Sequence, residues 1–294
     1  MTVLVHGASG IVGRATVRAL LARDEVRATV RRPEAAEPLR ALGAKVTVRD
    51  GRAADDLTEV LPRCHTLVHL VGGPNQPTPD ELFWANDGSV RVSVDAAREA
   101  GTKRIVLVSV PGAAAEHTHP FLRAKGLAEE VVSASGLDFA IVRATHVYGL
   151  GGLWFTSFVN GAAATPPLVC GPGTQQLAPI YADDLGATIA AIDDHAGRLE
   201  GVWGCEGRDT VTADALVAAL RGDVERPAHL DGQAAAKAFT ELLEHPIDAV
   251  AASFFAMPSR ADATDAAAAF GVATTPLTEG LRATMADAQA MDRL

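Results

Sequence analysis

The beginning of the chain constrains its fold more than any other stretch. Residues Thr2 to His6 are mostly apolar and predict a buried strand, while a helical pattern runs from Arg14 to Ala22. Three glycines at a spacing of three, Gly7, Gly10 and Gly13, lie between them. A strand that leads through such a turn into a helix aims unpaired backbone N–H groups, and the positive end of the helix dipole, at a phosphate. The segment therefore predicts a dinucleotide site, with Gly7 in the tight turn, Gly10 beside the pyrophosphate and Gly13 between helix and strand.

The composition argues against several classes of protein. With 294 residues, 48% of them hydrophobic, the chain is long enough for one large α/β domain, with or without a small added lobe. The net charge of −10 argues against a nucleic-acid or anionic membrane partner, which would require a basic face. No apolar run approaches the roughly 20 residues of a membrane span and no signal-peptide pattern is visible, so we expect a soluble cytoplasmic protein. We interpret the widely spaced Cys64, Cys170 and Cys205 as buried small hydrophobes rather than as a disulfide or metal site.

Further apolar runs predict a parallel sheet. Besides the first strand, the predicted strands span 25–30, 44–48, 66–71, 105–110 and 139–142. Helical patterns separate them, such as the one over 89–100, which Gly101 ends. Strands that are apolar on both faces and alternate with helices form a doubly wound parallel sheet, and its ligands bind beyond the carboxyl ends of the strands. Asp50, Gly72 and Ser109 follow or end predicted strands and therefore lie at that edge.

The end of the second predicted strand indicates which dinucleotide is bound. An acidic residue there hydrogen-bonds the ribose 2′-hydroxyl of NAD, whereas arginine accommodates the 2′-phosphate of NADP. In this chain Arg31 and Arg32 follow the strand directly, without a carboxylate. The pair favours NADP(H); the alternative is a solvated basic pair before the turn-forming Pro33.

The second half of the chain has a different composition. Residues 149 to about 176 are rich in glycine and proline and predict an irregular region, and residues 185–192 return to a helical pattern. From Asp209 onward the chain is alanine-rich and helical in pattern. Its breaks stand at Pro227, Pro246 and Pro258.

These changes predict two structural parts. Residues 1–150, continued by about 176–204, form the predicted NADP-binding core. Residues 151–175 and 205–294 form a small substrate-binding lobe built from insertions. The predicted fold class is α/β, with a doubly wound parallel sheet and this C-terminal lobe.

Beyond these elements, the chain resembles the extended or atypical short-chain dehydrogenase/reductase family over nearly its whole length. The matching positions are the glycine turn, Asp50, Asn86, Ser109, Lys125, Arg143 with Val147-Tyr148-Gly149, Pro179 to Leu185, and Pro276 to Arg282. The resemblance implies a Rossmann fold, a nicotinamide cofactor and, usually, a redox step between a carbonyl and an alcohol. By position it also implies that Asp50 meets the adenine ring and Lys125 the nicotinamide ribose.

The glycine turn, the strand ends and the resemblance together predict the contacts of an NADPH or NADP⁺ cofactor, and we expect no metal. The predicted contacts are Gly7, Ser9, Gly10, Ile11, Val12, Gly13, Arg31, Arg32, Asp50, Gly51, Gly72, Gly73, Ser109, Lys125, Thr145 and His146. The catalytic candidates are Lys125, Ser109 and His146. His146 follows the sixth strand near the expected nicotinamide end, where it either lines the pocket or packs in the core.

The chain departs from the family pattern at the catalytic positions. The family's tyrosine lies four residues before its lysine, one helical turn away on the same face, and here that position is Phe121. Phenylalanine has no proton to donate. The family's catalytic serine or threonine falls about two residues beyond Ser109, where this chain has Pro111. The usual Ser–Tyr–Lys arrangement is therefore broken, although positioning of the reactants lowers the barrier to hydride transfer by itself.

Other groups carry the proton that a forming alkoxide requires. Tyr148 and Tyr181 are the only tyrosines and stand at family positions, although such residues are more often packing. His117 and His119 precede Lys125, and histidine as a residue type is suited to proton transfer near neutral pH, but exposed loop histidines are the plainer interpretation. A bound water, or a hydroxyl on the substrate beside its carbonyl, is a further source.

Four aromatic residues, Trp84, Trp154, Phe155 and Phe158, line a flat apolar pocket beside the cofactor in one interpretation and belong to the core in the other. Such a pocket suits a polycyclic ketone better than a sugar nucleotide. The chain is similar to antibiotic-pathway ketoreductases, the angucyclinone ketoreductases in particular, which implies NADPH-dependent reduction of a bulky apolar ketone. The alternatives are a non-catalytic NADP-binding regulator and a nucleotide-sugar epimerase or dehydratase. Monomer and homodimer both stay open.

Overall fold

The computed structural model describes residues 1–50, 52, 54–222 and 225–291. The strands are β1 (Thr2–His6), β2 (Glu25–Val30), β3 (Lys45–Val48), β4 (Thr66–His69), β5 (Arg104–Ser109), β6 (Asp138–Ala144), β7 (Val147–Tyr148), β8 (Leu168–Cys170), β9 (Gln176–Leu177), β10 (Ile180–Tyr181), β11 (Glu200–Cys205), β12 (Val211–Thr212), β13 (Ala228–Leu230) and β14 (Thr264–Asp265). The helices are α1 (Ile11–Leu21), α2 (Ala36–Ala41), α3 (Ala54–Thr58), α4 (Pro79–Phe83), α5 (Ser89–Glu99), α6 (Pro120–Ser133), α7 (Leu153–Ala163), α8 (Ala182–Asp194), α9 (Ala213–Arg221), α10 (Gly232–Leu243), α11 (Ala249–Phe255), α12 (Ala266–Ala269) and α13 (Leu277–Met291). A 3₁₀ turn at Pro33–Ala35 and a π-type turn at Trp84–Gly88 complete the helical segments of these ranges.

The central feature is a parallel sheet of eight strands in the order β14-β11-β6-β5-β4-β1-β2-β3. Each neighbouring pair in it is parallel. The predicted α/β, doubly wound, Rossmann-like fold is confirmed. The chain moves outward from β1 through β2 and β3 and then returns to the other side of β1 to form β4. Ligands of such sheets bind in the crevice at this reversal of strand order.

The predicted strands agree with the observed ones to within two residues at each end, and the first two strands are identical. The helix predicted over 89–100 is α5, and Gly101 follows it in the left-handed region with φ of 70°. No sequence pattern predicted β11 and β14. Glycines interrupt the apolar pattern of β11, and β14 is only two residues long.

Helices cover both faces of the sheet, which explains why its strands are apolar throughout. In β1, Val3 and Val5 pack in a cluster with α1, α2 and α8, whereas Leu4 packs with α3, α5 and α6. Successive side chains of a strand point to opposite faces, so the two clusters lie on the two sides of the sheet. All three side chains are fully buried, and each contributes about 1.5–3 kcal/mol to folding.

The region predicted as irregular contains the helix α7, so this part of the prediction was wrong. Trp154, Phe155 and Phe158 of α7 are buried and share one apolar cluster with Phe239 of α10 and Phe255 of α11. Because α7 is apolar around most of its circumference, burial in this cluster stabilises it and no amphipathic pattern marks it in the sequence. The boundaries of the NADP-binding core and the substrate lobe stay a prediction.

In the described ranges, no helix combines the length and apolar character needed to cross a bilayer. The same ranges contain no group of three or more histidine, cysteine, aspartate or glutamate residues arranged to hold a metal ion. Cys64, Cys170 and Cys205 are buried free thiols, as the sequence predicts.

Candidate active site

The carboxyl edge of the sheet carries a cleft made of two adjoining cavities. The first has a volume of about 250 Å³, and we call it the charged cavity. Its charged lining residues are Arg31, Arg49, Asp50, Arg52 and Glu81. The second has a volume of about 420 Å³, and we call it the apolar cavity. Its phenylalanine and tryptophan lining residues are Phe121, Trp154, Phe254 and Phe255. Gly10 and Gly72 line both cavities, so the cleft is continuous across the end of β1.

Gly10 lies at the junction of the cavities, directly before α1. Its φ is −70°, and a Cβ built on it would meet no atom within 4 Å. No side chain caps α1, so its first N–H groups lack a side-chain acceptor. An open glycine at an uncapped helix N-terminus fits the pyrophosphate of a dinucleotide. Gly13 lies beneath this turn and lines neither cavity, because a Cβ there would be 2.6 Å from the backbone of Ala8.

The remaining residues of the turn divide between the two cavities. Gly7 and Ser9 line the charged cavity, whereas Ile11 and Val12 line the apolar cavity. Gly7 has φ of 88°, and a Cβ there would be 2.8 Å from the backbone nitrogen of Val71. The turn therefore requires glycine at this position for its conformation and for the close approach of the loop after β4.

A buried asparagine forms hydrogen bonds with the glycine segment that follows β4. The Asn86 side chain accepts a hydrogen bond from the Gly73 N–H at 2.9 Å and donates to the carbonyls of Gly73 at 3.0 Å and Leu82 at 2.9 Å. A Cβ on Gly72 would lie 2.4 Å from the Asn86 oxygen. Asn86 thus holds Gly72 and Gly73 in the wall of the cleft.

The charges in the charged cavity are unevenly paired. Arg52 donates to both carboxylate oxygens of Glu81, at 2.9 and 2.7 Å, and its guanidinium carbon lies 5.6 Å from the ring centroid of Trp84. The Asp50 carboxylate accepts a hydrogen bond from the Arg52 N–H at 2.9 Å. Arg31 is exposed, and no carboxylate of the described ranges pairs with it. Arg31 therefore presents an unpaired guanidinium to the cavity, and a phosphate group can pair with it.

The structure divides the predicted pair of arginines. Arg31 lines the charged cavity, whereas Arg32 is exposed and lines neither cavity. The backbone at Arg32 is extended, with φ of −107° and ψ of 133°, so successive side chains point to opposite sides. Arg49, which the sequence analysis did not select, lines the cavity in its place. Gly51, another predicted contact, lies outside the described residues.

The apolar cavity brings together the predicted Ser109, Lys125, Thr145 and His146. They arrive from the end of β5, from α6 and from the turn after β6. The Ser109 hydroxyl is buried and has no hydrogen-bond partner in the described part of the chain. The Thr145 hydroxyl donates to the Ala178 carbonyl at 2.6 Å, so its proton is already committed to the backbone.

Lys125 places a cation in these apolar surroundings. Its side chain is buried, and Nζ donates to the Val108 carbonyl at 3.1 Å. Burial lowers the pKa of Lys125 from 10.5 to about 8, and the nearby Glu129 opposes the shift. The ammonium form therefore still predominates at neutral pH, and its remaining N–H groups are available to a ligand.

His146 is a neutral wall of the apolar cavity. Its ring stacks on Trp154 at a centroid distance of 4.7 Å and meets Phe254 edge to face at 5.0 Å. Burial lowers the pKa of His146 to about 3. His146 therefore carries no charge near neutral pH, which argues against a role as an imidazolium acid.

The position of the family's tyrosine is filled by aromatic packing. Phe121 is 2% exposed and packs edge to face on Phe254 of α11 at 4.8 Å. Phe254 follows Phe121 by more than 130 residues, and no local pattern in the sequence connects them. Lys125 and His146 are the ionisable residues that line the apolar cavity in the described ranges.

The other proton donors considered from the sequence lie away from the cleft. The Tyr148 side chain is buried in the cluster around α7, and its hydroxyl packs against Gly280 of α13. Tyr181 lines a separate surface groove beside α1. The His119 ring contacts the Val250 carbonyl and the Ser253 hydroxyl, and burial lowers its pKa. These residues and His117 line neither cavity.

The structure divides the four aromatic residues of the sequence between the pocket and the core. Trp84 lines the charged cavity beside Arg52, and only Trp154 of the four residues lines the apolar cavity. Phe155 and Phe158 are 4% and 6% exposed and belong to the core around α7. The four residues diverge because α7 directs its aromatic side chains to more than one side, while Trp84 lies on a different element.

Comparisons with known proteins agree with this geometry. A family model described as NAD(P)H-binding matches residues 7–149. The ceramide reductase of Caulobacter vibrioides is 29% identical over 192 residues, 65% of this chain and 60% of that protein. The 4-hydroxy-2-methyl-3-oxo-4-farnesyl-3,4-dihydroquinoline-1-oxide ketoreductase of Stigmatella aurantiaca is 30% identical over 170 residues, 51% of each protein. A structure of MoeE5 in complex with UDP-glucose and NAD has a TM-score of 0.75 at 21% identity and covers 99% of both chains.

The fold is Rossmann-like, and residues 7–149, which include the glycine turn, match the family model described as NAD(P)H-binding. The chain is further similar to proteins named as reductases, at about 30% identity. It spans 60% and 51% of the lengths of these two curated relatives. The likeness to MoeE5 shows the fold.

Proposed function

We propose that this protein is an NADPH-dependent ketoreductase that reduces a carbonyl of a bulky apolar substrate by hydride transfer, without the usual catalytic tyrosine. The observation that carries the proposal is the continuous cleft, which joins an unpaired arginine at one end to a buried lysine among aromatic rings at the other. Bound NADPH supplies the hydride. The chain itself binds the two reactants, excludes water and stabilises the oxygen that becomes negative.

The charged cavity supports the choice of NADPH. Gly10 leaves room for the pyrophosphate at the start of α1, and Arg31 presents an unpaired cation beside the end of β2. Arginine forms charge-assisted hydrogen bonds with phosphate, and no carboxylate stands directly after β2 to bind the ribose hydroxyls of NADH instead. Lys125 is then placed to donate to the nicotinamide ribose.

The apolar cavity supports an aromatic ketone as the substrate. Its walls include the stacked rings of His146 and Trp154 and the ring of Phe254. Flat aromatic molecules pack well against such rings. The described lining contains no arginine that would bind the diphosphate of a sugar nucleotide. We propose a polycyclic aromatic ketone of the polyketide type, with the angucyclinones as the particular class.

With Phe121 in the position of the tyrosine, the proton for the alkoxide has another origin. The Lys125 ammonium is the cation that lines the apolar cavity, and it stabilises negative charge that develops on the carbonyl oxygen. A hydroxyl next to the substrate's carbonyl can transfer its proton to that oxygen, and the oxyanion that this leaves then takes a proton from solvent water. Charge stabilisation by Lys125 and a proton from the substrate's hydroxyl both fit a site without the tyrosine.

The proposal is tested by following the absorbance of NADPH or NADH during incubation with polycyclic aromatic quinones and with simple ketones. We expect oxidation of NADPH with the polycyclic substrates and a lower kcat/KM with NADH, because Arg31 pairs with the 2′-phosphate. Tight binding of NADPH without turnover of any ketone would instead favour a non-catalytic regulator. Retention of NAD with conversion of a nucleotide sugar would favour an epimerase.

The Phe121→Tyr substitution tests whether the site depends on another proton source. We expect kcat to stay unchanged or to fall, because Phe121 is buried against Phe254 and a new hydroxyl there disturbs the packing. Steady-state kinetics with the best ketone measures the effect. Phe121→Leu is the control for packing. An increase in kcat of more than about tenfold, the size of a recovered general acid, would contradict this interpretation.

A further inference from the structure

We propose that Arg49 is a specificity-determining residue that binds the 2′-phosphate of NADPH together with Arg31, and that Arg32 takes no part. The inference rests on the proposed use of NADPH and goes beyond it, because it assigns the phosphate to two adjacent strand ends rather than to one arginine pair. Three features of the charged cavity carry it: strand register, unused donors and charge.

The register of the sheet brings Arg31 and Arg49 together. Val30 of β2 and Val48 of β3 are direct partners in the parallel pairing. Arg31 and Arg49 follow them by one residue, and the Arg49 N–H donates to the Val30 carbonyl at 2.9 Å. Both arginines line the charged cavity, whereas Arg32 lies beyond them on exposed extended backbone.

The Arg49 guanidinium is held in place but retains free donors. Its Nη2 pairs with the Glu59 carboxylate. Its Nε is buried, and the Asp56 carboxylate forms a second, longer ion pair with it at 4.0 Å. A guanidinium has five N–H donors in a rigid fork, so the contacts of Nε and Nη2 with two carboxylates fix its orientation and leave the Nη1 donors for a phosphate oxygen.

Position favours Arg49 over Arg52, because both guanidiniums pair with carboxylates but only Arg49 directly follows Val48, the strand partner of Val30. Arg52 gives two hydrogen bonds to Glu81, which neutralises it within the cavity. Arg31 has no such partner, so Arg31 supplies an unpaired positive charge and Arg49 supplies oriented donors. A phosphate that bridges two arginines on adjacent strands is bound by geometry as well as by charge.

The test uses two fragments that lack nicotinamide, adenosine 2′,5′-bisphosphate and adenosine 5′-monophosphate, and measures their affinities by calorimetry. We expect Arg49→Gln and Arg31→Gln each to weaken the bisphosphate by about 10- to 100-fold, the size of a lost charge-assisted hydrogen bond. The affinity for the monophosphate stays within about threefold in both variants. The matched variant Arg32→Gln changes the affinity for neither fragment by more than about threefold.

Two results would overturn the assignment separately from the function. If the unmodified protein prefers the bisphosphate and Arg49→Gln keeps that preference, Arg49 is not a reader of the phosphate although NADPH use stands. If the unmodified protein binds both fragments equally, the result contradicts the proposed use of NADPH and, with it, the role of Arg49. Arg49→Lys separates charge from geometry, because lysine keeps the charge but loses the fork; we expect it to recover less than half of the lost preference on a logarithmic scale. Full recovery by lysine would contradict the role of the fork.

Discussion

The Gly10→Val variant is expected to lose NADPH binding by about 100-fold or more while it keeps its fold, since valine fills the space left for the pyrophosphate. The backbone at Gly10 has φ of −70° and ψ of 171°, which valine adopts without strain, and the new Cβ meets no atom within 4 Å. The expected change in Tm is therefore no more than about 2 °C. Calorimetric titration with NADPH and thermal unfolding of the same preparation measure the two effects.

A second glycine of the same turn provides the control. In Gly13→Val the Cβ would lie 2.6 Å from the backbone of Ala8, so we expect destabilisation by about 3 kcal/mol or more. The two variants thus separate the two roles of the glycine pattern, room for a ligand and contact between α1 and its turn. Unimpaired NADPH binding by Gly10→Val would show that the pyrophosphate does not lie over the start of α1.

The sequence predicted the parts of the fold that depend on local pattern. The strand, turn and helix from Thr2 to Ala22 form one contiguous unit whose glycine spacing has a direct steric meaning, and the structure shows that meaning at Gly7 and Gly13. Continuous apolar runs with helical segments between them suffice to predict a parallel sheet, because only buried strands tolerate such runs. The ends of these strands then placed Arg31, Ser109 and the glycines after β4 at the edge where the cleft lies.

The substrate end of the cleft could not be predicted in the same way. Phe254 reaches Phe121 and His146 from α11, and this contact depends on how the lobe packs rather than on any local spacing. Trp84 and Trp154 are both tryptophans, but their surroundings differ: Trp84 lies beside Arg52 and Trp154 beside His146. Sequence composition indicated aromatic surfaces without indicating which of them meet.

Register explains why Arg49, rather than Arg32, lines the charged cavity beside Arg31. Adjacent residues in sequence, such as Arg31 and Arg32, point to opposite sides of an extended backbone, whereas residues on neighbouring strands point the same way. Arg49 therefore stands beside Arg31 although 18 positions separate them in the numbering. To predict that Arg49 lies beside Arg31, one must know which residues of β2 and β3 are paired. The hydrophobic pattern of two parallel strands does not specify this pairing.

The Lys125→Met variant is expected to lose ketone reduction by about 10²- to 10⁴-fold in kcat while its affinity for NADPH falls by less than about tenfold. Methionine has a similar length and no charge, so it fills the buried space without donating to the ribose or to the developing alkoxide. The wild-type rate should fall as the pH rises through about 8, the pKa of Lys125, because the ammonium then loses its proton. The variant should lack this alkaline decline.

As the pH rises above about 8, the free energy of unfolding of the wild type should increase while its rate of ketone reduction falls. Burial depresses the pKa of Lys125 from 10.5 to about 8, so the unfolded chain binds the proton more tightly than the folded one. The free energy of unfolding of the wild type therefore gains from this group as the pH rises from about 8 to 10.5, whereas below pH 8 the cost of burying the charge is fully present. Lys125→Met removes that cost, and we expect its Tm at pH 7 to equal or exceed that of the wild type.

Lys103→Met, which changes an exposed lysine at the other edge of the sheet, is the control and should alter neither kcat nor the pH profile. If Lys125→Met keeps more than about a tenth of the wild-type kcat, the proton and the charge stabilisation come from water or from the substrate's own hydroxyl rather than from the chain.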